Sequence, residues 1–358
     1  MHGFNLKRTW GLVVVSIAVT LLLALILPAP VFAEPDGPPS ALQPASPAAS
    51  AILDLHNVVL IIAVVIFVGV EGALLLAAFR FRRSPTDTSE PPQIHGNIQL
   101  ELAWTIVPAV IVFALFVLTV RAQQTIDASV YSAEPGVPIT VEVIGHQWWW
   151  EFRYPDLGIA TAGLSITTAG QMVIPVGRVI NLKIGSLDVI HSFWVPELGG
   201  KTDAIKGVTN TSWLKADRTG EYYGQCAELC GVSHANMRLV VRAVSPDEFT
   251  AWASAQAADA AAPTDPAAQT GQQVFVTHAC VGCHVIRGVP QAVGVTGPDL
   301  THVASRPYIA GGILANTPHN LGRWLANPPG IKPGSMMPNL NLPQADIDAL
   351  VAYLQTLK

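Results

Sequence analysis

C-A-E-L-C-G-V-S-H-A-N-M, Cys226 to Met237, is the stretch on which the reading of this chain turns. It offers two thiols four residues apart, then an imidazole and a thioether at the next short steps. A second imidazole stands upstream in H-S-F-W-V-P, at His191. Thiolate, thioether and imidazole together select copper or zinc over hard cations. His191 must arrive on a separate loop, so the site needs a rigid scaffold whose loops gather at one end. The flanking sequence supplies one. V-P-I-T-V-E-V-I from Val137, R-V-I-N-L-K-I from Arg178 and M-R-L-V-V-R-A-V from Met237 alternate with period two. Glycine and proline punctuate these runs, which predicts a small all-β sandwich or barrel over 135–247.

Two other readings of the cysteine pair stay open from the residues alone: a disulfide in an exported domain, and a structural zinc held by Cys, Cys, His and His. The other two cysteines lie in C-V-G-C-H, Cys280 to His284, the pattern for covalent haem attachment. There Cys280 and Cys283 form the thioethers and His284 is the axial imidazole. A methionine as sixth ligand raises the haem potential, and P-G-S-M-M-P offers Met336 and Met337.

Charged residues make up 13% of the 358 residues and apolar ones 50%, against about 25% charged in ordinary soluble domains. The deficit is local, which points to membrane spans. Net charge is −5 with no long run of one sign, so no nucleic-acid partner is expected. Trp10 to Leu27 follows Lys7 and Arg8 and leads to V-F-A before Glu34. This predicts a secretory signal over 1–33, cleaved after Ala33, with an uncleaved span as the alternative. Two further apolar stretches, 57–79 and 102–120, each reach the length of about 20 residues needed to cross a bilayer, and predict a hairpin within 34–122. Arg80, Arg82 and Arg83 follow the first span, while Glu34 to Leu55 contains no Lys or Arg. Positive loops stay cytoplasmic, so both ends of the hairpin face the outer, periplasmic side. Glu71 lies inside the first span, where a carboxylate is costly and faces protein or water.

Residues 253–269 are rich in Ala, Asp, Pro, Gln, Ser and Thr and read as a linker, helical at most in its first half. Over 270–358 the pattern turns helical. Thr317-Pro318 is a helix start, and Ile347, Leu350, Val351 and Leu354 cover one helix face.

Four motifs occur in order between Leu53 and Val244: E-L-A-W-T-I-V-P-A, G-H-Q-W-W-W-E-F from Gly145, H-S-F-W-V-P-E-L-G-G-K-T-D-A-I, and G-E-Y-Y-G-Q-C-A-E-L-C-G from Gly220. Together they resemble subunit II of haem–copper cytochrome oxidases. C-V-G-C-H, G-P-D-L-T-H-V-A-S-R from Gly297 and A-G-G-I-L-A-N-T-P-H-N-L from Ala310 resemble the cytochrome c domain fused to that subunit in caa-type enzymes. Trp149, where the family often has tyrosine, and Lys206, where it usually has proline, are departures that touch no ligand.

The resemblance implies a multidomain chain: a transmembrane hairpin, a cupredoxin-like Greek-key β-barrel and an all-α class I cytochrome c domain. It implies a binuclear CuA centre on His191, Cys226, Cys230, His234 and Met237, with the Glu228 carbonyl as a further ligand. The Glu228 carboxylate would reach magnesium at the interface with subunit I. Trp148 matches the tryptophan at which electrons enter, and Glu101 the glutamate at the cytoplasmic mouth of a proton pathway. In the fused domain the sixth ligand directly precedes proline, which selects Met337. His278, His302 and His319 are left as surface or haem-flanking residues, with a propionate contact open to His302.

The function implied is that of an electron-transfer subunit in the plasma membrane of a prokaryote. Electrons would run from the tethered haem through CuA to subunit I, where dioxygen is reduced and protons are translocated. Subunits I and III, membrane lipid and an upstream donor such as a soluble cytochrome or quinol:cytochrome c reductase are the implied partners. The alternative within the same chemistry is the electron-input subunit of another haem–copper reductase, such as nitric oxide reductase. A copper-delivery or storage protein is the alternative from another class, and it would have no reason to carry a haem.

Overall fold

Ser46-Pro47 starts the first helix, because the Ser46 hydroxyl accepts from the Ala49 N–H at 3.0 Å and proline needs no partner at the first turn. This computed structural model describes residues 39–82, 86, 88, 90, 93–127, 139–159 and 164–358. The expected signal at 1–33 with its cleavage after Ala33, the loop residue Arg83 and the strand start at Val137 lie outside the described residues.

Helix α1, Pro47–Arg80, and helix α2, Ile98–Ile126, are long and apolar enough to cross a membrane. Both run past the stretches expected at 57–79 and 102–120, because the caps at Ser46 and Asn97 lie outside the apolar runs. Apart from Glu71, the exposed surfaces of their central stretches carry no charge on any side, as a helix in lipid requires. The foot of the hairpin is tied to the β domain. The Ser46 hydroxyl donates to the Leu198 carbonyl at 2.8 Å, and the Trp213 indole donates to the Ile126 carbonyl at 2.9 Å.

Ten strands follow: β1 Ile139–His146, β2 Trp149–Ile159, β3 Leu164–Ala169, β4 Gln171–Pro175, β5 Ile180–Ser186, β6 His191–Trp194, β7 Thr202–Ala204, β8 Asn210–Leu214, β9 Gly220–Cys226 and β10 Arg238–Val244. They form two five-stranded sheets, ordered β3-β2-β1-β5-β8 and β4-β10-β9-β6-β7. The pairs β1–β5 and β4–β10 are parallel and the rest antiparallel, so neighbours in space are distant in sequence. Trp150, Phe152, Tyr154, Met172 and Ile174 are fully buried between the sheets. The Tyr154 hydroxyl crosses the core to accept from the Val173 N–H at 2.8 Å. This is the cupredoxin-like barrel that the alternating runs and the resemblance predict.

Helix α3, Pro246–Ala257, opens on a Ser245/Glu248 capping box and lays Phe249 and Trp252 on the barrel, with Trp252 5.1 Å from the Tyr154 ring. The linker expected over 253–269 is therefore shortened at both ends. Alanine favours the last turn of α3, and Asp265-Pro266 caps helix α4, Pro266–Thr277. What remains is held down. Arg287 donates to the Ala258 carbonyl at 2.7 Å, and the Ala260 N–H donates to the Arg287 carbonyl at 3.0 Å.

Beyond it lie the hairpin β11 Tyr308–Ile309 with β12 Leu314–Ala315, and helices α5 Pro318–Ala326, α6 Pro328–Ile331 and α7 Gln344–Leu354. α4 crosses α7 at Gly271, where a β-carbon would fall 1.9 Å from the Ala349 carbonyl oxygen. Only glycine permits that approach. Ile347, Leu350 and Leu354 close the core of this helical domain, as their spacing predicts. His302 has a different place from the one left open for it. It is buried, its Nδ1–H donates to the Lys358 carbonyl at 2.7 Å, and its Nε2 lies 3.0 Å from the Ala258 carbonyl oxygen and 3.2 Å from the Arg287 guanidinium.

Candidate metal centres

Strand β6 begins at His191 and pairs with β9, which ends at Cys226, so two segments 35 residues apart meet at one end of the barrel. The loop after β9 turns back through Cys230 and a 3-10 turn, His234–Asn236, into Met237. The His191 Nδ1 lies 3.9 Å from the Cys226 sulfur, and the two sulfurs lie 3.7 Å apart. Cys230 Sγ is 3.6 Å from His234 Nδ1 and 3.9 Å from Met237 Sδ. The Glu228 carbonyl oxygen stands 3.2 Å from Cys226 Sγ, while its side chain is exposed. A disulfide would need about 2.05 Å, and both thiols are free. His191, Cys226, Cys230 and Met237 are all buried.

The electrostatics suit a cation. The hydrogen bond between the two thiols, helped by His191, holds the Cys226 thiol well below the usual thiol range and outweighs its burial. The same bond keeps the Cys230 proton in place. Burial alone would lower His191, but the Asp188 carboxylate, 2.7 Å from Nε2, raises it. Asp188 therefore orients the imidazole with Nδ1 toward the sulfurs, as carboxylates behind metal-bound histidines do. Asp188 was not singled out in the sequence. Its place three residues before His191 in D-V-I-H is the signal that would have found it. Glycine makes the room, since a β-carbon at Gly145 would stand 2.7 Å from His191 Cδ2. The soft donor set and its burial fit copper.

Trp148 is 8% exposed, and its indole N–H donates to the Cys230 carbonyl at 3.0 Å. Gly231 lies against the ring's Cζ2 edge, and Gly334, from the helical domain, against Cη2 and Cζ3. Trp150 packs edge-on to His191 at 5.9 Å. Glu101 stands in the first turn of α2, exposed and far in sequence from every other candidate.

In the helical domain, Cys280–Gly282 form a 3-10 turn that presents Cys280, Cys283 and His284 from one short segment. The His284 Nδ1–H donates to the Pro298 carbonyl at 2.8 Å, which leaves Nε2 as the free donor atom. Gly297 is required beside it, because a β-carbon there would fall 2.6 Å from His284 Cε1. Met337 packs on the domain core while Met336 is exposed. The buried Nε of Arg306 has no partner among the described residues. Its fixed positive charge is the counterpart a haem carboxylate needs, so the residues fit haem.

Residues 40–121 match the family described as cytochrome C oxidase subunit II, transmembrane domain, and residues 139–244 its periplasmic domain. Residues 268–358 match cytochrome c. The chain is 38% identical over 322 residues to cytochrome c oxidase subunit 2 of Alkalihalophilus pseudofirmus, covering 89% of this chain and 91% of that one. Identity is 32% over 357 residues to the subunit 2 of Bacillus subtilis, covering 94% and 97%. The solved periplasmic domain of subunit II of cytochrome oxidase of Bradyrhizobium japonicum is 37% identical, with a TM-score of 0.31. It covers 34% of this chain and 94% of that one.

Proposed function

The chain belongs to the cytochrome c oxidase subunit II family and carries a cytochrome c domain; from that premise we propose that it relays electrons from its own c-type haem through a binuclear CuA centre to subunit I. As a member of this family it is a membrane-bound component of an oxidoreductase, it associates with subunit I, and its domains imply copper and haem c. The finer assignments are our reading.

His191, Cys226, Cys230, His234 and Met237, with the Glu228 carbonyl, would hold the copper pair. Cys280 and Cys283 would bind haem covalently, with His284 and Met337 as axial ligands. When bound, the two centres supply one-electron chemistry without group transfer. The chain's own residues do the rest. Asp188 holds the His191 ring at one angle, and the two buried sheets resist movement of the thiols when charge changes. Trp148 bridges the copper loop and the helical domain. The exposed Glu228 carboxylate is available to magnesium at the subunit I interface. Glu101, at the cytoplasmic end of α2, would sit at the mouth of a proton pathway in subunit I. Arg80, Arg82 and Arg83 support an orientation in which both redox domains would lie on the periplasmic side of a prokaryotic plasma membrane. Electron supply would come from a soluble cytochrome or a quinol:cytochrome c reductase, and subunit III would complete the assembly. The assembled enzyme would reduce dioxygen to water in subunit I and translocate protons.

The observation that carries this reading is the gathering of an imidazole, two thiols, a second imidazole and a thioether, each within 3.9 Å of one of the two sulfurs. Electron paramagnetic resonance with metal analysis on the purified full chain tests it. Hyperfine structure from one electron shared by two equivalent coppers, at two coppers and one haem per chain, is expected. A single-copper spectrum, or a Cys226–Cys230 disulfide that resists reduction, overturns it.

A further inference from the structure

Lys332 is 4% exposed, and no carboxylate among the described residues pairs with it. Lysine is almost never buried without a partner. Its Nζ donates instead to two backbone carbonyls, one in each domain: Trp148 of the barrel, and Ala310 of its own helical domain at 2.9 Å. Burial pushes the amine down to about 7. A group this costly to bury serves its own domain poorly if only one of its two acceptors lies there.

The surroundings are shaped to admit it. Gly311 has φ +74, and a β-carbon there would fall 2.3 Å from Lys332 Nζ and 2.7 Å from the Trp148 oxygen. The Arg238 N–H donates to the Gly311 carbonyl at 2.9 Å, and the Ser233 hydroxyl to the Pro333 carbonyl at 2.5 Å. Gly334, with φ +78, lies so close to Trp148 that a β-carbon would stand 2.7 Å from Cη2. Trp148 is thus held between the Cys230 carbonyl and the backbone at Gly334, three residues before Met337.

We propose that Lys332 is a positioning residue for electron transfer between the two domains. By bridging the Trp148 and Ala310 carbonyls it locks the Gly334 backbone onto the Trp148 ring and sets the gap between the methionine loop and the copper loop. This rests on the relay proposed above. In the step concerned, ferrous haem becomes ferric, the copper pair gains that one electron, and no proton moves. Because Nζ reaches both domains, the haem domain works from a docked position and not as a freely swinging carrier.

The test uses the complete oxidase with Lys332→Met and, as a second route to the same loosening, Gly311→Ala, which keeps the lysine but obstructs its seat. Hydrogen exchange of the peptide containing the Arg238 amide reads the dock without reference to activity. A photoexcited ruthenium complex reduces the haem, and its reoxidation by copper is followed optically. Both variants are expected to speed that exchange and slow that transfer by about tenfold or more, with the haem potential and the copper resonance spectrum unchanged. Exchange or transfer at the wild-type value in a variant that assembles overturns the proposal, as does slowing that comes with a shifted haem potential or copper spectrum. Should Lys332→Met fail to assemble, Gly311→Ala alone decides. Wild-type enzyme in which haem never reduces copper would instead sink the relay reading, an outcome that no variant produces.

Discussion

The copper loop and the haem loop solve the same problem by opposite means. At the copper loop, His191 and the Cys226–Met237 segment come from strands 35 residues apart, and four of the five side chains proposed as donors are buried in the barrel. At the haem loop, Cys280, Cys283 and His284 lie within five consecutive residues, Cys283 exposed and Cys280 half-buried. The first site is made by folding, since two sheets must pair before its donors meet. The second is made by local sequence, and in the proposed reading covalent thioethers would take over the holding that packing supplies at the first. The difference teaches where each is vulnerable: the copper site to changes that move the scaffold, the haem site to changes in its own few residues.

Removing a donor is the hardest way to break the comparison. Cys226→Ser should abolish the coupled-copper resonance and lower oxidase turnover to below about a hundredth, yet leave haem content at one per chain by pyridine haemochrome assay. Loss of haem in the same variant would show that the two sites are not independent. Next comes the scaffold. Asp188→Asn removes the carboxylate behind His191 without touching a donor, and copper affinity in competition titration should fall roughly 10–100-fold. An unchanged affinity would mean that the sheet alone fixes the ring.

The haem loop is sharpened by its two methionines. Met337→His should lower the haem midpoint potential in a redox titration, because a second imidazole stabilises ferric iron relative to a thioether. Met336→Leu should leave that potential unchanged, since Met336 is 72% exposed. The reverse pattern would reassign the ligand.

The smallest effect concerns the barrel beneath the copper loop. Burial alone would raise the Glu151 carboxyl, but its hydrogen bond with His146, at 2.8 Å, and the charge of Arg153 hold it below the usual carboxylate range. A carboxyl with a depressed folded value stabilises the fold above its unfolded pKa, and that stability is lost as pH falls through the folded value. Glu151→Gln should therefore cost about 1–3 kcal/mol at pH 7 in urea unfolding of the full chain. The gap to wild type should close as pH drops below about 4.3. A gap independent of pH would assign the effect to packing.

Legibility in the sequence followed the range of the interactions. The hairpin was readable because twenty apolar residues need no partner to define a span, and α5 and α7 because Thr317-Pro318 and the Ile347–Leu354 face are local signals. The linker is legible in part. Its alanines allow a helix in the first half, where α3 runs to Ala257, whereas composition hides the cap at Asp265 that starts α4 before the stretch ends. The place of His302 is likewise not legible, for its partners are the Lys358 and Ala258 carbonyls and Arg287, which no spacing rule connects.

The sequence by itself determined which atoms could bind copper and haem, which motif offers the haem two thiols and an imidazole, and which segments are apolar and long enough to enter the membrane. Each of those depends on residue identity within a short window. Only the tertiary structure decided that His191 reaches the Cys226 sulfur with Asp188 behind it, that Trp148 lies on the Cys230 carbonyl, and that Lys332 reaches the Trp148 carbonyl across 184 residues. Those contacts join strands, loops and domains that meet only once the two sheets and the helical core have formed, and no local pattern carries that information.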